Sequence, residues 1–333
     1  MFLLIGGIGK MKIYRSLKTI LSATFFLVSI STIQAQQWPS KPIKFIVPFA
    51  PGGGADFMAR LISQPLSNAM GQPVIVENKV GASGIIGYDY AMKSAPDGYT
   101  LVVLSTTYAI IPGLYKLPYD PIKDMEPISL LSKGPYLIAV HPSLPVKSLK
   151  DLIQLAKSKP EMIPYASSGN GANLHLVTEM FSSLAGIKMN HIPFKGTGPA
   201  IMSTVGDQTS LVFGSMYSTI PLVRAGRLRA LAITSSQRNP VAPEIPTVSE
   251  LAIPNFDTFD WQGLVAPKGT PKNVIERINM EITKILKSKE VNDRLVTDGI
   301  IASGNQPEEF GLFVAKEIDE FKKIITQAGI KLD

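Results

Sequence analysis

The residues best placed to do chemistry lie in short loops rich in glycine and hydroxyl side chains. The first is Pro48-Phe49-Ala50-Pro51-Gly52-Gly53-Gly54-Ala55-Asp56, where an apolar strand runs into a glycine turn. A helix is expected from about Asp56, with Met58, Leu61, Ile62 and Leu66 at helical spacing. Three glycines leave the loop amides uncovered by side chains. The first helical turn adds unpaired N–H donors and the positive end of the helix dipole. Together these form a seat for an anion, although the same residues also suit an ordinary strand-to-helix turn. The design recurs at Ser167-Ser168-Gly169-Asn170-Gly171-Ala172-Asn173 and at Lys195-Gly196-Thr197-Gly198, where Pro199 suits the first turn of the next helix. Loops 81–84, 105–107 and 214–218 have the same small, polar character, and few acids stand in any of them. Lys195 is the one cation in these loops, or else a solvated surface lysine. Loops of this kind suit a carboxylate held between two helix ends.

Other chemistries find little support. The chain has no cysteine, which excludes disulfides, thiolate metal sites and a cysteine nucleophile. No Gly-Lys-Ser/Thr follows the triple glycine, so this is not a nucleotide P-loop. Gly169-Asn170-Gly171 begins a dinucleotide pattern, but Leu174 stands where its third glycine belongs. There is no Gly-x-Ser-x-Gly nucleophile elbow. His175 and Glu179 share a helix face and could form half a metal site; a structural histidine is the simpler reading, with only three histidines in the chain. His141 is expected in an exposed loop and His191 packed in a strand. No metal, cofactor or catalytic residue is assigned. Asp56 is read as capping its helix and Arg60 as supporting the loop.

Strands and helices alternate almost throughout. Strands are expected at 43–49, 73–77, 99–104, 127–131, 136–140, 165–166, 189–194, 211–213, 228–234 and 259–266. Between them lie helices, among them one capped by Ser148 over 149–158, and three amphipathic helices close the chain at 271–286, 289–297 and 307–328. This alternation argues an α/β fold with mostly parallel sheets, which bind ligands beyond the carboxyl ends of their strands. Two such blocks suggest two domains facing one cleft.

The N-terminus has the layout of an export signal. Lys12, Arg15 and Lys18 precede an apolar run from Ile20 to Ile30, and Ala35 supplies the small residue for cleavage. Met11 is a better start than Met1 for such a signal. The whole chain carries +7, but residues 1–35 hold four bases and no acid, so the remainder carries only +3, spread without a basic block. Nucleic-acid binding is not supported.

With these motifs in hand, the chain resembles the substrate-binding proteins of tripartite tricarboxylate transporters, the Bug-type extracytoplasmic receptors. The resemblance runs from about Trp38 onward. It rests on residues 48–56 with Ala59-Arg60, Ala95-Pro96-Asp97-Gly98-Tyr99-Thr100, Leu117-Pro118-Tyr119-Asp120-Pro121, and Ser167 to Gly171 with His175-Leu176. Phe194 to Ala200 and Ala266-Pro267-Lys268-Gly269-Thr270-Pro271 complete it. The resemblance implies a two-lobed α/β fold of the type II periplasmic-binding-protein (Venus flytrap) kind. One lobe would comprise residues 36–137 and 263–333, the other 138–262, after a signal peptide at 1–35. It also implies a ligand carboxylate held between loops 49–56 and 167–173, and delivery to membrane permease subunits. Candidate ligand contacts are Phe49, Ala50, Gly53, Ala55, Asp56, Thr106, Ser168, Gly169, Asn170, Gly171, Lys195, Gly196, Thr197 and Ser215. Many relatives carry a hydroxyl residue where this chain has Ala55 and Ala172, which points to a less polar pocket and an aromatic or longer acid.

The expected function is that of an exported, periplasmic and monomeric receptor for a small organic carboxylate. Two alternatives share some of these features: a secreted enzyme acting on a carboxylate, for which no nucleophile–base pair can be assembled, and a ligand-sensing module that docks a signalling partner.

Overall fold

The computed structural model describes residues 38–328 and 330. The expected export signal lies outside the described residues. The compact unit begins at Lys41.

In that unit β1 (Ile43–Val47) is buried except at Lys44, as in a strand covered on both faces. It leads into α1 (Gly54–Met70), which buries Met58, Ala59, Ile62 and Leu66 and stops at Gly71 in the left-handed conformation. The chain continues through β2 (Val74–Asn78), α2 (Ile85–Met92), β3 (Thr100–Ser105) and the single turn α3 (Thr107–Ile110). β1 pairs parallel with β2 and with β3.

The second block starts from β4 (Met125–Val140) and α4 (Leu149–Ser158). Ser148 and Asp151 form a reciprocal capping box at the start of α4. Then follow β5 (Pro164–Ser167), α5 (Asn173–Ala185), β6 (Asn190–Pro193), α6 (Thr197–Val205), β7 (Leu211–Ser215), α7 (Met216–Arg224) and β8 (Arg229–Ile233). After α8 (Val248–Leu251), β9 (Phe259–Pro267) returns to the first block. The chain ends with α9 (Lys272–Lys287), α10 (Lys289–Thr297), the short β10 (Ile301–Ala302) and α11 (Pro307–Ala328).

The strands run in the order β2-β1-β3-β9-β4-β7-β5-β6, with β8 and β10 also on β4. β4 belongs to both lobes. From Met125 to Pro135 it pairs with β9, and from Tyr136 to Val140 with β7; β8 joins it from Leu137. The pairing partner therefore changes between Pro135 and Tyr136. Each lobe has its own core. Ile46, Val102, Leu104, Tyr108, Trp261 and Phe310 centre the first, and α11 adds Val314, Ile318 and Phe321 to it. Ile138, Tyr165, Phe181, Val212 and Phe213 centre the second. The fold is thus α/β and two-lobed.

Two expectations need correction. The sheets are mixed rather than mostly parallel: pairings among β1, β2 and β3 and among β5, β6 and β7 are parallel, but every pairing of β4 or β9 is antiparallel. A chain that crosses between lobes and comes back must run in opposite directions on its two crossings. The strands expected at 127–131 and 136–140 are also one strand. Ser132-Lys133-Gly134-Pro135 reads locally as a break, yet β9 lies alongside and pairs with it.

Candidate functional site

The parallel strands β1, β3, β5 and β7 end at Val47, Ser105, Ser167 and Ser215, and the loops that follow face one another across a single cleft. Several hydrogen bonds join the lobes there. Ala50 N–H donates to the Lys195 carbonyl at 3.2 Å. Ser218 Oγ donates to the Gly52 carbonyl at 3.2 Å, and Tyr115 Oη to the Asn170 carbonyl at 2.8 Å. Ser83 Oγ donates to the same Asn170 carbonyl. Phe57 stacks on Tyr217 with ring centroids 4.8 Å apart.

Two glycines make this approach possible. A β-carbon on Gly198 would collide with the Pro51 carbonyl oxygen, and one on Gly54 with Tyr217 Oη and Gln262 Nε2. Neither position requires a left-handed backbone; what each requires is space.

At the base of the cleft a small cavity of about 10 Å³ is lined by Phe49, Gly53, Gly54, Ala55, Asp56, Ser105, Ser168, Asn173, Thr197, Asp260 and Gln262. Beyond Phe49 and Ser168 lies a larger one of about 430 Å³, lined among others by Ser83, Tyr115, Gly169, Asn170, Phe194 and Lys195. Helices α1 and α6 both present their first turns to the smaller cavity, and no side chain caps either of them. Helix α5 is arranged differently. The Asn173 N–H donates to Thr107 Oγ1 of the first lobe at 3.1 Å, and the Leu174 N–H to Ser168 Oγ at 3.5 Å.

Of the candidate ligand contacts, Phe49, Gly53, Ala55, Asp56, Ser168 and Thr197 line the inner cavity, and Gly169, Asn170 and Lys195 the outer one. Ser215 borders an adjoining gap and donates to Asp260. Ala50 and Gly196 meet each other across the lobes. Gly171 N–H donates to His175 Nδ1 at 3.0 Å, and Thr106 Oγ1 accepts from Trp261 N–H at 2.9 Å.

Asp56 is already engaged. Its carboxylate accepts from Arg60 Nε, from Asn78 Nδ2 at 3.0 Å and from Gly52 N–H at 3.1 Å. Burial works against its charge, but these donors outweigh it and hold the carboxyl below its ordinary range. Asp56 therefore fixes the shape of the glycine turn. The histidines are engaged too. His175 and His191 stack at 3.9 Å between ring centroids, next to Tyr165, and Ser167 Oγ lies 2.6 Å from His191 Nε2. Glu179 accepts from Tyr165 Oη.

Sequence reading missed Asp260 and Gln262, and placed Ser105 and Asn173 in site loops without naming them as contacts; the four supply much of the polar lining. Ala55 and Ala172 are both buried, but the pocket is not thereby apolar, because β9 adds a carboxylate and an amide. Asp260 is 4% exposed; it accepts from Asn173 Nδ2 at 3.2 Å and from Ser215 Oγ. Burial, only partly offset by such donors, pushes its carboxyl up to about 6. Gln262 accepts through Oε1 from Ser132 Oγ at 2.7 Å, while its Nε2, near the Asp260 carboxylate, makes no hydrogen bond of good geometry among the described residues. The signal was available: Asp260 and Gln262 are polar at alternate positions of an otherwise apolar strand, which sets both on one face.

Comparison with known proteins matches residues 58–330 to a family model described as a tripartite tricarboxylate transporter family receptor. The chain is 37% identical over 303 residues to Protein BugT of Bordetella pertussis, covering 90% of this chain and 93% of that one. Among solved structures, one described as a periplasmic transporter superposes with a TM-score of 0.86 at 39% identity, covering 89% of this chain and all (100%) of the other. An R. palustris protein solved with adipate superposes with a TM-score of 0.86 at 32% identity, covering 88% of this chain and 99% of that one.

Proposed function

Because this chain belongs to the tripartite tricarboxylate transporter receptor family, we propose that it captures a small organic carboxylate between its lobes and hands it to the membrane subunits of such a transporter. The observation that carries this reading is the convergence, from opposite lobes, of the uncapped first turns of α1 and α6 on one cavity. Amide donors and two helix dipoles there favour an anion without any basic side chain. The adipate bound by the R. palustris relative supports the ligand class.

The contacts assigned to the ligand are those of the inner cavity, Phe49, Gly53, Ala55, Ser168 and Thr197, with Gly169, Asn170 and Lys195 toward the mouth. The proposed lobes are residues 36–137 with 263–333, and residues 138–262. The change of partners in β4 at Pro135–Tyr136 supports them. The protein is read as monomeric, as periplasmic like the transporter it superposes on, as exported with cleavage near Ala35, and as a binder that catalyses no reaction.

Thermal unfolding of residues 36–333 against mono-, di- and tricarboxylates and acidic amino acids tests the proposal. A ligand at ~100 times its Kd stabilises by about 2.7 kcal/mol, which moves Tm by a few degrees in a chain of this size. A shift confined to carboxylates is expected. No shift with any of them, from a folded and ligand-free preparation, overturns the receptor reading.

A further inference from the structure

The floor of the cleft holds a carboxylate that closure alone does not require. Asp260 lies on β9 opposite Gly134, and every group that donates toward it is neutral: Asn173 and Ser215 from the other lobe, and Gln262 and Thr106 from its own. A latch between lobes needs only an acceptor, and an amide or hydroxyl would provide one without burying a charge. Burying a carboxylate against neutral donors alone is unfavourable. An ionised carboxylate accepts about four hydrogen bonds; Asn173 and Ser215 make two of good geometry, and Thr106 and Gln262 lie near without completing the set. The opposite chemistry lies two residues along the same strand. Gln262 is 2% exposed, its amide is oriented by Ser132, and its Nε2 points toward Gly54 at the open end of α1. A donor and an acceptor thus stand together on the floor, where the closed cavity of about 10 Å³ has room for one small polar group of a ligand.

We propose that Asp260 is a specificity-determining residue: it requires the ligand to carry a hydrogen-bond donor, an ammonium or a hydroxyl, beside its carboxylate. The receptor then selects amino or hydroxy acids over plain diacids, whose second carboxylate would face Asp260 with like charge. This inference rests on the receptor reading above and narrows it.

Calorimetry on residues 36–333 at pH 7.5 tests it with two sets of probes: succinate, L-malate and L-aspartate on one carbon skeleton, and adipate with 2-aminoadipate on another. The donor-bearing acid of a set is expected to bind at least tenfold tighter than its plain diacid. Asp260→Asn is expected to narrow that ratio at least tenfold. If the donor is an ammonium, the variant loses aspartate far more than malate, because an amide oxygen still accepts from a hydroxyl; if it is a hydroxyl, malate leads in both proteins. Equal or tighter binding of plain diacids by the wild type overturns the inference and leaves the receptor reading standing. So does a loss common to all acids in Asp260→Asn with the ratio unchanged, the mark of a purely structural latch. Should the variant not fold, the wild-type ratio decides alone. No binding of any acid by the folded wild type overturns both readings together.

Discussion

Helices α1 and α5 begin in nearly the same way, at a glycine-rich loop after a parallel strand, and end in the same way, at a left-handed glycine. Their first turns nevertheless do different work. That of α1 is uncapped by any side chain and faces the cavity, with the Gln262 amide beside it. That of α5 is tied down by Thr107 from the first lobe and by Ser168 from its own. Similar loops thus serve as a seat in one lobe and as a fastening in the other. A glycine loop before a helix shows where donors are exposed; the neighbouring hydroxyls decide whether they remain so.

The comparison can be broken most severely by keeping the two helix ends apart. Gly198→Val places a side chain against the Pro51 carbonyl, which the open protein tolerates and the closed one does not. Ligand affinity is expected to fall by about 100-fold, in line with ~1–3 kcal/mol of overpacking, with Tm of the free protein little changed; calorimetry and a scattering profile that no longer contracts with ligand would show it.

Asp260 gives an effect of similar size, on stability rather than on affinity. Its carboxyl is raised to about 6 from 3.8, so between these values the folded protein holds a proton that the unfolded chain has lost. Its contribution therefore makes stability fall as pH rises through this window, by up to about 3 kcal/mol. Urea denaturation across pH 3.5–7 should show Asp260→Asn gaining stability relative to wild type as pH increases.

Asp56→Asn addresses the seat itself. It removes the charge that holds Gly52 and Arg60, and a stability loss of about 2 kcal/mol is expected above the depressed carboxyl range. That difference should shrink as acid protonates the wild-type group. Thr107→Val addresses the fastening and leaves the Asn173 N–H without its acceptor. An effect of ~1 kcal/mol is expected, read as roughly fivefold weaker binding with the same preference among acids. Were the preference to change, α5 would belong to the seat as well.

Much of this fold was legible because local signals and tertiary structure agree. Ser148 announced α4, and α10 and α11 fall at their expected residues. Reading failed where pairing with a distant segment overrode local sequence. Gly134-Pro135 suggests a turn, but β9 and β7 line up along β4 and make one strand of it. The loops of the site were legible from their glycines, since exposed amides are a local property. Asp260 and Gln262 show in sequence only as a polar face on β9; that this face lies under the cleft is set by pairing with distant strands.

The sharing of β4 between lobes bears on how they part. Along this strand the lobes are joined by a continuous ladder, so any parting of them would twist that ladder. That twist has a natural axis at Gly134-Pro135, where one residue lacks a side chain and the next lacks an N–H to donate to the ladder. Asp260 pairs with Gly134 and so stands almost on the axis, whereas Lys195 and Ala50 meet near the mouth. A rotation that carries the rim far apart moves the floor little. A ligand group at Asp260 is therefore met by a nearly stationary partner, and identity can be checked at the floor before the rim has finished sweeping shut.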